Sequence, residues 1–167
     1  MARIERLARN LFGAWFQLRR CFPSVLLDEM AVAIRDGERR HRGELRFAVE
    51  SRLSPTAVWT GMTARQRAQQ VFARLGVWDT ELNTGVLVYV LLAERRIEIV
   101  ADRGLAAPVG REAWERIGVA MRAAFAAGRW REGSLEGIAA IHALAAEHFP
   151  SDGRDNPDEL PDRPVLL

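Results

Sequence analysis

The sequence contains no lysine, one cysteine (Cys21) and one tyrosine (Tyr89). A single cysteine excludes an internal disulfide and any metal site built on a cysteine cluster, and it fits a reducing compartment. All 24 basic residues are arginine, which indicates either the base composition of the genome or recognition of phosphate groups. The net charge is only +2, and no basic stripe alternates with aromatic residues, so the chain is not expected to bind nucleic acid.

Long hydrophobic runs are also lacking. The run from Val86 to Ala93 has eight apolar residues, whereas a membrane-spanning helix needs about 20. The apolar patch at residues 12–16 is short and is followed by Arg19 and Arg20, with no small-residue cleavage site of the kind that ends a signal peptide. We therefore expect a cytoplasmic protein.

The common catalytic motifs are missing: the chain has no GxSxG, no P-loop and no HExxH. His142 and His148 fall on different faces of one predicted helix, which is poor spacing for metal ligands. His41 is expected to cap the C-terminus of a helix, and Cys21, beside Phe22, to be a buried apolar residue rather than a nucleophile. These residues do not indicate an enzyme class.

The most informative stretch is residues 83–104, which predicts a β-hairpin. It opens with the turn signal Asn83-Thr84-Gly85, and the apolar run that follows does not alternate with polar residues. Both faces of this strand should therefore be covered, as in the centre of an α/β sheet. The second run, residues 97–101, alternates in part and predicts a more exposed neighbouring strand.

Residues 1–22 predict an amphipathic N-terminal helix. Apolar residues recur every three or four positions between residues 3 and 18, with arginines on or beside the other face. Such a helix can pack on its own domain, contact a partner or a second copy of the chain, or lie on an anionic membrane surface. The residues expected to make the partner or membrane contact are Leu11, Phe12, Trp15, Arg19 and Arg20.

The remaining patterns predict an α/β domain over residues 23–149. Helices are expected at 24–39, 64–75, 111–127 and 130–149, with Ser24 and Thr63 as N-caps, and a first strand at 44–51. The strand, the helix at 64–75 and the hairpin form a right-handed βαβ unit with an antiparallel third strand. This order predicts a three-layer αβα sandwich on a small mixed sheet. Residues 150–167 hold four of the seven prolines and are expected to be a disordered tail.

The predicted topology gathers oxygen ligands at one edge of the sheet. If the first two strands are parallel, their starting points share an edge with the end of the third strand. Glu44, Asp79, Asn83 and Asp102 would then lie together, and their oxygens are the ligands that Ca²⁺ or Mg²⁺ prefers. The alternative is a set of solvated loop carboxylates paired with arginines such as Arg42 and Arg103.

Five segments resemble the TPM domain family, in an order that spans about residues 43–149: 44–49, 71–77, 83–87, 96–99 and 102–105. The most specific piece is the Asn-x-Gly-Val-Leu hairpin, followed by a charged turn and a strand that leads into Gly-Leu. The resemblance implies a Rossmann-like αβα sandwich. Some members of this family are acid phosphatases or bind Ca²⁺, and others are membrane-anchored accessory proteins.

The chain departs from the family pattern at three positions of this edge. Thr84 stands where the family often has Asn, Ala106 lacks an acid that could be a ligand, and Asp102 adds one. The chain resembles the short, cytoplasmic-type bacterial branch found beside LemA-like proteins, so phosphatase activity carries over poorly. We expect a non-catalytic accessory or binding module, whose partners are LemA-like proteins, a second copy or the inner membrane surface. The alternative is a metal-dependent phosphatase-like hydrolase that uses the carboxylate edge.

Overall fold

The computed structural model describes residues 3–12, 15–153 and 159–167. Within them the chain forms eight helices and four strands, numbered here in chain order: α1 Arg3–Phe12, α2 Trp15–Cys21, α3 Ser24–Glu38, β1 Glu44–Glu50, α4 Pro55–Trp59, α5 Ala64–Arg74, β2 Gly85–Leu91, β3 Arg96–Ala101, α6 Arg103–Val109, α7 Arg111–Ala126, α8 Trp130–His148 and β4 Val165–Leu166.

The four strands form one mixed sheet in the order β3-β2-β1-β4. β1 and β2 are parallel, in a register that pairs Glu44 with Gly85, and β3 runs antiparallel to β2. The predicted βαβ unit and hairpin are therefore confirmed. Every residue of β2 is buried, as its continuous apolar run predicts, because helices cover both faces of the sheet.

Two hydrophobic cores lie on opposite faces of the sheet. Phe47 and Val88 point into the larger core, with apolar residues of α3, α7 and α8. Leu87 and Tyr89 point into the smaller core, with residues of α4 and α5. The alternation of side chains along each strand separates the two cores. The predicted αβα sandwich on a small mixed sheet is confirmed.

The N-terminal segment forms two helices rather than the single predicted helix. α1 is tied to the domain by the buried side chain of Asn10, whose Oδ1 accepts from the backbone N–H of Leu53 at 2.8 Å and whose Nδ2 donates to Glu94 at 3.1 Å. α2 contributes Leu18 and Cys21 to the larger core. A buried amide needs such partners to offset its desolvation, so both helices are held against the domain.

The prediction of a disordered tail is wrong for the last residues. β4 pairs in parallel with β1, and the backbone N–H of Leu167 donates to the carbonyl of Val49 at 2.8 Å. The Arg46 guanidinium donates to the carbonyl of Arg163 at 2.7 Å. The bond from Leu167 satisfies a backbone carbonyl on the outer edge of β1, so the last residues are ordered as part of the sheet. The tail prediction for residues 154–158 lies outside the described residues.

Helix caps explain which short elements were missed. The predicted cap at Thr63 is confirmed as a reciprocal capping box with Gln66. Ser24 is not a cap, since α3 already begins there and Pro23 occupies the N-cap position without a side-chain bond. The sequence patterns do not predict α4 and α6, because helices of 5 and 7 residues are too short to show a periodic pattern.

Candidate functional site

The two ends of the sheet differ in charge, and each holds a candidate site. The first, called here the carboxylate end, contains the four predicted metal ligands Glu44, Asp79, Asn83 and Asp102. The parallel pairing of β1 with β2 and the antiparallel pairing of β3 bring the start of β1, the start of β2 and the end of β3 to this end. Glu44, Asn83 and Asp102 thus lie at one edge, while Asp79 is an exposed residue of the loop before β2.

Three of these side chains hold the fold together. Asp102 caps α6 through Oδ1, which accepts from the backbone N–H of Arg103 at 2.7 Å. The Asn83 side chain accepts from the Arg103 guanidinium at 2.9 Å. The buried Glu44 carboxylate accepts from the backbone N–H of Leu160 at 3.2 Å. In the described parts of the chain, no three His, Cys, Asp or Glu side chains are grouped so that they could hold a metal ion.

The second carboxylate oxygen of Asp102 takes no part in the helix cap. Its Oδ2 is buried and has no hydrogen-bond partner, which is unusual because buried polar atoms are nearly always paired. The backbone around it is tightly packed: a Cβ on Gly104 would lie 2.5 Å from the carbonyl oxygen of Asn83. Gly85 and Gly104 therefore let neighbouring backbone segments at this end pack more closely than a residue with a Cβ would allow.

A buried histidine pair lies at the same end of the molecule. His41 Nε2 and His142 Nδ1 are 2.7 Å apart, and the backbone N–H of Gly43 donates to His41 Nδ1 at 3.0 Å. The acceptor role of Nδ1 places the ring proton of His41 on Nε2, which then donates to His142. Burial is the main cause that lowers the pKa of His41 to about 4 and that of His142 to about 3.

The predicted role of His41 as a helix cap is therefore wrong. Its ring packs against that of His142, with ring centroids 4.9 Å apart, and both rings are neutral at pH 7. The contact joins residues 101 positions apart, so no local spacing could have indicated it. The pair is a packing element between α8 and the segment before β1.

The second candidate site lies at the opposite end of the sheet. A cavity of about 330 Å³ opens between α2, the β2–β3 turn and the helices α7 and α8. Apolar side chains form much of its wall, and four arginines line it as well. We call it the arginine pocket; its lining residues used below are Arg20, Cys21, Leu92, Arg95, Arg96, Arg122, Phe125, Ala126 and Trp130.

Three exposed arginines of this pocket lack the ion pairs that several other arginines of the described chain make. Arg6 and Arg67 make ion pairs at 2.8 Å with Glu94 and Glu50, but Arg20, Arg95 and Arg96 have no carboxylate within ion-pair distance among the described residues. No acidic residue lines the cavity. The pocket thus presents unneutralised positive charge beside an apolar wall.

Two lining residues of the pocket are perturbed, Cys21 in its pKa and Arg95 in its backbone conformation. Burial raises the pKa of the Cys21 thiol, and Arg20 opposes this shift, so the thiol stays protonated and is a poor nucleophile. Arg95 has a backbone φ of +52°, a left-handed conformation that glycine or asparagine adopts far more readily than arginine. Arg95 therefore occupies a position in the turn that is conformationally costly for an arginine.

The predicted membrane or partner contacts lie beside this pocket only in part. Arg19 and Arg20 are exposed, and Arg20 lines the pocket. Leu11 is 42% exposed, whereas the side chains of Phe12 and Trp15 lie outside the described residues. The sequence signal for Arg95 and Arg96 was a charged turn, but their convergence with Arg20 follows from the tertiary fold alone. In the described part of the chain, no helix is both long and apolar enough to cross a membrane.

Comparisons with known proteins agree with this fold. The solution structure of the BA42 protein from the psychrophilic bacterium Bizionia argentinensis has a TM-score of 0.76 and 28% sequence identity, over 86% of this chain and 94% of that one. The N-terminal domain of a P. gingivalis protein has the same kind of fold, with a TM-score of 0.58 and 21% identity over 73% of this chain and 76% of that one. Among curated protein sequences, none matches the chain.

The sequence model of the TPM domain matches residues 27–144. This range begins after α2 and ends before the C-terminal segment, so α1, α2 and β4 lie outside it. The four predicted metal ligands of the carboxylate end all lie in the matched range, whereas the arginine pocket combines that range with Arg20 and Cys21 of α2. On this match over most of its length, the chain belongs to the TPM domain family.

Proposed function

We propose that this TPM domain protein is a non-catalytic accessory module that binds anionic membrane surfaces through the arginine pocket and its rim. The single observation that carries the proposal is that one pocket is lined by Arg20 of α2 and by the adjacent Arg95 and Arg96 at the start of β3, none of which has a carboxylate partner among the described residues. Other exposed arginines, such as Arg74 and Arg116, also lack an ion pair among the described residues, but they lie outside this pocket. The rim is therefore where several unpaired arginines lie beside an apolar wall.

The physical chemistry of the rim favours a lipid surface. An arginine near an anionic bilayer contributes about 1 kcal/mol of binding free energy, and its guanidinium fits phosphate oxygens in a bidentate geometry. Trp130, partly buried at the pocket, is of the side-chain type that favours the boundary between water and lipid. A set of three arginines gives modest, salt-dependent and reversible binding, as suits an accessory module.

The test is co-sedimentation with vesicles of phosphatidylglycerol, compared with vesicles of phosphatidylcholine. We expect the protein to pellet with the anionic vesicles and to be released by salt. The double variant Arg95→Ala/Arg96→Ala should reduce the partition coefficient about 30-fold, from the loss of two contributions of about 1 kcal/mol each.

A matched control removes the same charge elsewhere. Arg74 and Arg116 are exposed and lie outside the pocket, so Arg74→Ala/Arg116→Ala should retain most of the binding. Equal loss in both double variants would reduce the effect to net charge and contradict a specific surface. No binding to anionic vesicles at low salt would refute the membrane function and leave an acidic protein partner to be sought.

A second candidate function is a metal-dependent phosphatase-like hydrolase at the carboxylate end. The observation in its favour is the buried Asp102 Oδ2, an oxygen that has no hydrogen-bond partner and lies at the edge that also carries Asn83. A divalent cation such as Ca²⁺ or Mg²⁺ would satisfy that oxygen. In this proposal Glu44, Asp79, Asn83 and Asp102 would hold the ion, which would polarise a phosphate ester.

Thermal melting of the metal-stripped protein tests this second candidate. An ion present at 100 times its dissociation constant stabilises the folded state by about 2.7 kcal/mol, a shift of several degrees. A shift with Ca²⁺, Mg²⁺ or Mn²⁺ that is lost in Asp102→Asn would support a metal site and justify assays with phosphate esters. Absence of a shift with any of the three ions at millimolar concentration would count against the hydrolase.

A further inference from the structure

The arginine pocket has a depth that binding to a flat surface does not require. Its cavity of about 330 Å³ falls at the lower end of the range of about 300–1,000 Å³ that is typical of small-molecule sites. Its wall includes the apolar side chains of Leu92, Phe125 and Trp130. The rings of Phe125 and Trp130 lie 4.7 Å apart between centroids at a tilt of 30°, so they form one continuous apolar surface.

Positive charge lines the same cavity as this apolar surface. Arg20 comes from α2, Arg95 from the turn between β2 and β3, and Arg96 from the first position of β3. None of the three has an ion-pair partner among the described residues. Arg122 of α7 also lines the cavity and has one weak contact, at 3.5 Å, to the carbonyl of Ile97. A ligand that matches this arrangement needs an anionic head for the guanidinium groups and an apolar part for the rings.

We infer that the arginine pocket binds a single amphiphilic anion, with its carboxylate or phosphate head on Arg20, Arg95 and Arg96 and its apolar chain against Phe125 and Trp130. Such a molecule can come from two sources, as a free fatty-acid anion or as one lipid withdrawn from a bilayer. The inference rests on the same arginines as the proposed function, and it adds that binding requires the cavity as well as the charge.

The backbone conformation of Arg95 supports a ligand contact at this turn. Arg95 holds a φ of +52°, and a non-glycine residue in that region costs about 1–2 kcal/mol. Its backbone N–H is used in the turn, where it donates to the carbonyl of Leu92 at 3.1 Å, but its side chain has no partner among the described residues. No side-chain contact within the described fold offsets the cost of this conformation.

The experiment is calorimetric titration of the full chain with decanoate below its micelle concentration. Acetate has the same head without the chain, and dodecyl maltoside has a chain without the charge. We expect decanoate to bind with one site per protein chain and both comparison molecules to bind at least about tenfold more weakly, as expected when a charge-assisted hydrogen bond or the apolar contact is lost.

Two variants separate charge from cavity. Arg95→Ala/Arg96→Ala should weaken decanoate about tenfold or more. Ala126 is exposed and lines the pocket, whereas Ala123 is exposed on the same helix and does not, so Ala126→Trp should weaken decanoate about tenfold while Ala123→Trp changes it less than twofold. If Ala126→Trp does not fold, the comparison of decanoate with acetate still decides whether the cavity contributes.

The outcomes distinguish this inference from the proposed function. Acetate binding as tightly as decanoate, or no decanoate binding at all, would overturn the inference, even if anionic vesicles still bind through the rim. Decanoate binding without vesicle binding would support the pocket with a free fatty-acid anion as the source and refute the membrane function. Binding of both, each lost in Ala126→Trp, would support a bilayer lipid as the source.

Discussion

The two ends of the sheet carry opposite charges, and they differ in what those charges do. At the carboxylate end, Glu44 and Asp102 accept hydrogen bonds from backbone N–H groups, and Arg42 contacts Glu81 and Asp152. At the arginine pocket, Arg20, Arg95 and Arg96 make no such bonds in the described structure. The charged groups of the carboxylate end are therefore already bonded within the fold, whereas the unpaired arginines of the pocket are available to a ligand.

Both ends also contain a non-glycine residue with a positive φ. Asn83 has a φ of +56° and Arg95 one of +52°. Asparagine tolerates this conformation well, and the side chain of Asn83 is used by Arg103. The side chain of Arg95 has no hydrogen-bond or ion-pair partner within the described fold. The positive φ is therefore compensated by a side-chain contact at Asn83 and not at Arg95.

Acidification should produce the largest effect on stability, through the histidine pair near the carboxylate end. Both pKa values are lowered in the folded state, to about 4 and about 3, so below pH 6.5 the unfolded chain binds more protons than the folded one. Stability that is complete above pH 6.5 is then lost as the pH falls towards those folded values. Urea unfolding should show a loss of about 4 kcal/mol between pH 7 and pH 5.

The ring carbon signals of the two histidines give an independent readout by NMR. We expect both rings to stay neutral in the folded protein down to about pH 5. A titration midpoint near 6.5 for either His41 or His142 would contradict the buried pair.

Removal of a paired arginine should be almost as damaging, in contrast to the unpaired ones. Arg67 holds the buried carboxylate of Glu50 through two bonds at 2.8 and 2.9 Å, and the hydroxyl of Tyr89 donates to the same carboxylate at 2.5 Å. Arg67→Ala leaves Glu50 with one of its partners and should cost about 3 kcal/mol in the free energy of unfolding. A loss below about 1 kcal/mol would show that Glu50 finds solvent or another donor.

Loss of the Asp102 cap should have a smaller effect. Asp102→Ala removes the acceptor for the backbone N–H of Arg103 at the start of α6 and should cost about 1 kcal/mol. Asp102→Asn retains a capping oxygen and should cost less. If Asp102→Asn instead stabilises the metal-free protein clearly, the unpaired Oδ2 was under electrostatic strain, and the metal hypothesis would gain support.

The smallest stability effect is expected at Arg95, where the functional effect should be large. Arg95→Gly relieves the cost of the positive φ but adds backbone freedom to the unfolded chain, so stability should change by less than about 1 kcal/mol in either direction. Decanoate binding should still fall several-fold, measured by calorimetry alongside thermal melting. Unchanged binding in a stable Arg95→Gly protein would remove Arg95 from the ligand site.

Local patterns were sufficient for most of the fold. The unbroken apolar run of β2 predicted a central strand, and Thr63 predicted a helix start, because both signals are local. β4 was missed because it has 2 residues and follows a proline-rich segment. Its place in the sheet depends on contacts with β1, which no local pattern reveals.

The candidate sites were predictable to the extent that topology alone determines them. Parallel pairing brought Glu44 and Asn83 to one edge as expected, but the sequence could not show that their side chains would be used by Leu160 and Arg103. The arginine pocket depends on α2 folding back against the β2–β3 turn. Arg20 and Arg95 line the same cavity only because of the tertiary fold, and the sequence indicated only that both segments are basic.

The most direct test of the central claim is an NMR titration of the ¹⁵N-labelled protein with decanoate, followed by a separate titration with Ca²⁺. The account predicts that decanoate shifts amide signals in residues 17–21, 90–97 and 122–130, and leaves those of residues 79–84 and 102–104 unchanged. Ca²⁺ provides the opposite probe for the carboxylate end. Decanoate shifts that are absent from the arginine pocket, or that centre on the carboxylate end, would contradict the assignment of the ligand site to the unpaired arginines.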